Sequence, residues 1–119
     1  EKIKWKELQE LTQFILEHSR ERPFILAGDF YFEDNNDYHQ YLIELLELTD
    51  SHQNSSNGSS GNTYIKRKQK KRIDYIFFKN TSASKQAFYH INNEIIFNGT
   101  HDENKYSDHY GLLADFDLL

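Results

Sequence analysis

An amphipathic helix that runs almost directly into a short apolar strand is the feature that most constrains this chain. Trp5, Leu8, Leu11 and Ile15 recur at helical spacing among Lys, Glu and Gln, so residues 2 to about 18 read as a helix with one apolar stripe. Pro23 ends any helix, because the residue before a proline is pushed out of the helical region. Phe24-Ile25-Leu26-Ala27 then forms a continuous apolar run, expected of a strand buried on both faces, and stops at Gly28-Asp29. Helix, tight connection, strand and an acid at the strand's C-terminal edge is α/β organisation, in which ligands gather at such edges.

The rest of the chain continues that pattern. Asp34-Asn35-Asn36-Asp37 is a polar turn able to cap a second helix, in which Tyr41, Leu42, Leu45 and Leu46 keep helical spacing. Residues 51–62 are rich in Ser, Asn and Gly, and a flexible loop is expected over about 51–72. Ile73 to Phe78 reads as a strand from its β-branched and aromatic content. Phe88 to Phe97 reads as another, with Asn92-Asn93 marking a bulge or turn; a polar loop over residues 98–105 and a last strand from Tyr110 to Phe116 follow.

At 119 residues the chain is one domain or part of one. It begins at Glu1 and contains no Met, so a cut, processed or partial N-terminus is expected. The absence of Cys excludes a disulfide framework, a thiolate zinc site and a catalytic thiol. No apolar run approaches the ~20 residues of a membrane-spanning helix, and no signal-peptide pattern is present. The formal charge of −5 is uneven: residues 66–72 hold six of the fourteen basic residues, leaving eight against nineteen acidic ones elsewhere. A general nucleic-acid binder spreads positive charge over a face, whereas here it is confined to one segment.

Three clusters hold residues able to do chemistry. Asp29 follows the first strand. Asp74 lies inside Arg72-Ile73-Asp74-Tyr75-Ile76-Phe77-Phe78, where alternation places Asp74, Ile76 and Phe78 on one face. A carboxylate there needs a partner, and Arg72 or a nearby lysine would serve. Ser107-Asp108-His109 precedes the last strand, and on an extended segment Asp108 and His109 would point to opposite sides. Together the clusters supply carboxylates for a hard cation such as Mg²⁺, a histidine that works near neutral pH and a second carboxylate to fix that histidine's tautomer. Phosphoester hydrolysis needs this set. The Asp34–Asp37 cluster lacks the glycine and distal glutamate of a calcium loop, so a helix cap is expected there.

Leu26-Ala27-Gly28-Asp29-Phe30, Arg72-Ile73-Asp74-Tyr75-Ile76-Phe77 and Tyr106-Ser107-Asp108-His109-Tyr110, with Asn62-Thr63-Tyr64 ahead of the second, resemble the C-terminal half of the endonuclease/exonuclease/phosphatase superfamily. The resemblance implies an α/β fold in which residues 1–119 are the C-terminal half of a two-sheet sandwich flanked by helices, deoxyribonuclease- or sphingomyelinase-like. It implies that Asp29 positions the attacking water or a metal, that Asp108 binds or organises the metal, and that His109 contacts the phosphoryl group with Asp74 orienting its ring. Mg²⁺ or another divalent cation is the implied cofactor, and a phosphodiester in a lipid head group or a nucleic acid the implied substrate. Residues 106–110 look closest to bacterial-type neutral sphingomyelinases, which makes sphingomyelin the first substrate suggested. Lys66, Arg67 and Lys68 are candidate phosphate contacts beside such a site.

Two departures stand out. The family has asparagine where this chain has Tyr31, and a phenol cannot reproduce an amide's paired donor and acceptor; an endonuclease of the same superfamily or a non-catalytic relative that binds phosphate-bearing ligands is the alternative reading. The family's N-terminal half supplies a metal-binding glutamate, a further asparagine and a histidine or tyrosine, and none of these has a counterpart here. A single sheet from this chain should also leave an apolar face uncovered.

Overall fold

The computed structural model describes residues 2–19, 22–55, 60–66, 68–80, 88–97 and 107–118. The first helix, α1 (Lys2–Ser19), spans the predicted segment. It buries Leu8 and Thr12, with Trp5 and Ile15 packed at the rim of the core. The second, α2 (Asp37–Leu46), starts where the polar turn predicts: Asn36 is its N-cap and accepts a hydrogen bond from the Tyr38 amide at 2.8 Å. Glu47 ends it in the left-handed region, φ 54°, which turns Leu48 back so that its amide bonds to the Ile43 carbonyl. Trp5 joins the helices, lying 4.5 Å from the Tyr38 ring and 5.3 Å from Tyr41.

Both helices cover one face of a three-stranded antiparallel sheet. Its strands are β1 (Phe24–Asp29), β2 (Thr49–Asp50) and β5 (Asp74–Lys79), in the order β1-β5-β2. Alternation along β5 sends Tyr75 and Phe77 into the helix-covered core, where they join Phe32, Leu42, Leu46 and Leu48. The expectation that β1 is buried on both faces is corrected. It is an antiparallel edge strand whose Ile25 is 49% exposed and whose Ala27 is also exposed. A four-residue apolar run cannot say whether a second layer lies against it.

A short helix, α3 (Ser51–Ser55), and a two-stranded hairpin of β3 (Tyr64–Lys66) and β4 (Gln69–Lys71) occupy the stretch expected as a loop. Asp50 caps α3, accepting from the His52 amide at 3.1 Å, and Lys68 makes the hairpin turn with φ 67°. Strands β6 (Phe88–Ile96) and β7 (Gly111–Leu118) form a third sheet, an antiparallel pair with a register shift between His90 and Asn92, just before the Asn92-Asn93 step where a bulge or turn was expected. This pair covers part of the sheet's second face, since Phe116 packs edge-on against Phe78 at 5.3 Å. The expected loop over residues 98–105 lies outside the described residues. No helix among them is long and apolar enough to cross a membrane.

Candidate active site

The pairing of β1 with β5 sets Asp29 directly opposite Asp74 at the end of the sheet. Like charges at directly opposed positions destabilise a ladder, so this register disfavours folding unless something cationic or hydrogen-bonding lies between them. His109 does. Its Nδ1 is 2.8 Å from Asp74 Oδ2, and its Nε2 is 3.7 Å from Asp29 Oδ2. An ionised carboxylate only accepts, so Nδ1 carries the hydrogen toward Asp74 and Nε2 faces the open side. The hydrogen bond to Asp74 holds the imidazole above the usual histidine range. Burial opposes that shift, and the charges of Asp74, Asp29 and Asp108 reinforce it.

Each of these side chains is held from behind. The buried Thr63 hydroxyl accepts the Asp74 amide at 3.2 Å and lies 3.4 Å from that of Ile73, which fixes the start of β5. His109 is tied to the β3–β4 hairpin: it bridges to Tyr64, whose ring meets the imidazole edge-on at 5.1 Å. The Ile65 amide donates to the Asp108 carbonyl and the Tyr110 amide to that of Thr63. The Tyr75 hydroxyl lies 2.8 Å from both the Phe32 and the Arg72 carbonyls, clasping together the segments that follow Asp29 and precede Asp74.

Asp29, Asp74 and His109, predicted from three separate stretches, therefore converge. Asp108 joins them, with Oδ1 4.0 Å from His109 Nε2. The expectation that Asp108 and His109 point to opposite sides does not hold. Ser107 Oγ accepts the His109 amide at 3.0 Å, and this turn breaks the extended alternation. Asp74 takes His109 as its partner rather than Arg72. A cleft of about 260 Å³ opens beside the cluster, lined by Gly28, Asp29, Asp74, Ile76, Tyr110 and Leu112 among others.

Arg72 has a different role from the basic run it closes. It is 3% exposed, ion-paired to Asp50 and Asp34, and stacked 4.7 Å from the Tyr75 ring. His39 Nε2 meets the other Asp50 oxygen at 3.0 Å. Burial pushes the Asp50 carboxyl up, but hydrogen bonds and charge from His39 and Arg72 outweigh it and hold the group below its ordinary value. Sequence reasoning missed this triad because its members are 11 and 22 residues apart. The only local sign of it was His39 on the apolar face shared with Leu42 and Leu46.

Lys66 and Lys68 are exposed on the hairpin, and Arg67 lies outside the described residues. Strand alternation puts Lys66 on the face of Tyr64, with Lys71 and Gln69 opposite them. Tyr31, the departure from the family pattern, is 73% exposed with φ 63°. That conformation costs a bulky residue on the order of 1 kcal/mol, whereas asparagine adopts it readily. The Tyr31 amide donates to Asp29 Oδ1 at 3.0 Å.

Carboxylate oxygens of Asp29 and Asp74 and a ring nitrogen of His109 lie within 4.8 Å of one another at a solvent-accessible edge; with the Asp74–His109 hydrogen bond made, the oxygens of Asp29 and Asp108 are the ones left to meet a hard divalent cation. Residues 4–109 match the family model described as the Endonuclease/Exonuclease/phosphatase family. No curated protein and no solved structure matches the chain.

Proposed function

The chain belongs to the endonuclease/exonuclease/phosphatase family, and we propose that, joined to an N-terminal half that completes the domain, it hydrolyses phosphodiester bonds with a divalent cation, Mg²⁺ first, at the cluster of Asp29, Asp74, Asp108 and His109. The observation that carries this is the imidazole set between two carboxylates that the sheet register opposes. Folding alone does not favour such an arrangement.

Asp29 and Asp108 would hold the cation, which supplies charge neutralisation at the phosphoryl oxygens. Asp29 also accepts a hydrogen bond from the attacking water. His109, kept protonated to higher pH by Asp74, donates from Nε2 to a phosphoryl oxygen as negative charge builds there. Asp74 fixes the imidazole's tautomer and plane. Lys66 and Lys68 lie exposed on the hairpin that carries Tyr64, where they would attract the substrate's anionic phosphate; Arg67 is assigned the same part from sequence alone.

A choline phosphodiester such as sphingomyelin is the first substrate, on the resemblance of residues 106–110. The negative charge outside the basic segment supports it over duplex DNA. Residues 1–119 would be the C-terminal portion of the domain, with a second sheet lying over the exposed β1 face that carries Ile25 and Ala27. Parallel assays on sphingomyelin liposomes and plasmid DNA, with Mg²⁺ and with EDTA, test the substrate. Release of phosphocholine only with Mg²⁺ is expected, and Mg²⁺-dependent nicking without it would assign the site to nucleic acid. Isolated residues 1–119 should bind hydrophobic dyes, and a cooperative monomeric melt would contradict the half-domain reading.

A further inference from the structure

Tyr31 combines features that folding does not explain. Its neighbours are both anchored: the Phe30 amide donates to the Ile73 carbonyl at 2.9 Å, and the Phe32 carbonyl accepts from the Tyr75 hydroxyl at 2.8 Å. The rings of Phe30 and Phe32 pack 5.5 Å apart, and Phe32 is 4% exposed. Between these anchors the backbone of Tyr31 is fixed at φ 63°, and its ring is 73% exposed. A bulky residue held in the left-handed region with its side chain in solvent gains nothing from the core in return. Such outliers cluster at functional sites.

The position of the ring is tied to the chemistry. One oxygen of Asp29 accepts the Tyr31 amide, and the other lies 3.7 Å from His109 Nε2. The Tyr31 backbone is therefore pinned on the Asp29 side of the cluster with its ring in solvent, while the basic hairpin abuts His109 through Tyr64. The surroundings of Tyr31 have the opposite sign to that hairpin. From Gly28 to Asp34 the chain holds Asp29, Glu33 and Asp34 and no basic residue; Asp34 is paired with Arg72, and Glu33 is exposed. An exposed aromatic face amid carboxylates attracts a cation and repels a second phosphate.

On the premise that the cluster takes phosphoesters, we infer that Tyr31 is a specificity-determining residue, receiving a quaternary ammonium group borne by the phosphate's substituent on the Asp29 side. The phenyl face makes this contact, and the hydroxyl is dispensable to it.

Isothermal titration of the protein in Mg²⁺ with phosphocholine and with its neutral carbon isostere, 3,3-dimethylbutyl phosphate, tests this without turnover. Phosphocholine should bind about 2- to 30-fold more tightly than the isostere, the span for a cation over an exposed to a desolvated ring. Tyr31→Phe should keep that ratio, and Tyr31→Ala and Tyr31→Asn should bring it close to one. An unchanged ratio in Tyr31→Ala, or loss of the ratio in Tyr31→Phe, overturns the inference. So does failure of wild type to bind phosphocholine. Preferential, Tyr31-dependent binding of thymidine 5′-monophosphate would assign the ring to base stacking instead. Hydrolysis of bis(p-nitrophenyl) phosphate in the same samples tests the phosphodiesterase reading separately, so the two can fail independently.

Discussion

Replacing Asp74 by Asn keeps the side chain's size and removes its charge. The backbone contact to Thr63 is untouched, because it is made by the Asp74 amide. The loss falls on the 2.8 Å bond to His109 Nδ1. An amide can still accept from Nδ1–H, but it can equally turn its NH₂ toward the ring and stabilise the wrong tautomer. Orienting partners of this kind are worth about 10- to 100-fold in activity, and about 10⁴-fold in a fully buried serine-protease triad. Here the His109 and Asp74 side chains are 27% and 19% exposed, so water replaces part of what is lost. We therefore expect a fall of about 100-fold in kcat/KM, or about 2.7 kcal/mol of transition-state stabilisation. The pH profile carries a second signature. Asp74 raises the His109 pKa, so its protonated form survives to higher pH in wild type, and the alkaline limb should move to lower pH in Asp74→Asn. The assay is steady-state hydrolysis of bis(p-nitrophenyl) phosphate in Mg²⁺ across that limb. Activity within about 3-fold of wild type, or an unmoved limb, would refute the orienting role of Asp74.

Three further outcomes follow from the same geometry. Arg72→Met leaves Asp50 buried and short of its main cation, which should cost about 3–5 kcal/mol in urea unfolding; adding Asp50→Leu should recover part of it. Because the folded-state pKa of Asp50 is depressed, its contribution to stability is complete above its unfolded value of 3.8 and is lost as pH falls through the lower folded value; the acid limb of thermal stability should flatten in Asp50→Asn. Exchanging Lys66 and Lys68 for Ser should raise KM for sphingomyelin presented in anionic liposomes and weaken its salt dependence, with little change in kcat for a small soluble diester.

Much of this was legible from the chain because the relevant signals are local. The apolar stripe from Trp5 to Ile15, the cap at Asn36 and the content of Ile73 to Phe78 each determine their element within a few residues. The three acidic clusters were recognisable because each sits at a strand terminus or turn. Legibility ended where a partner is distant or where pattern carries no apolar alternation. The β3–β4 hairpin is built mostly from lysines and a glutamine, so nothing in its sequence announced a strand. Its pairing is instead anchored through Thr63 and Tyr64 to the segment around His109. Arg72 read as the end of a solvated basic run, and only the fold brings Asp50 and Asp34 to it. The exposure of β1 depends on what lies over the sheet, and a short apolar run is the same with or without that layer.

The most direct test of the central claim is Mg²⁺-dependent release of p-nitrophenolate from bis(p-nitrophenyl) phosphate by the protein and its His109→Ala variant, after dialysis against EDTA. The account predicts no release without Mg²⁺, restoration on adding it, and a loss of at least about 100-fold in His109→Ala with its fold intact. Equal rates in the two proteins, or turnover indifferent to the cation, would contradict it.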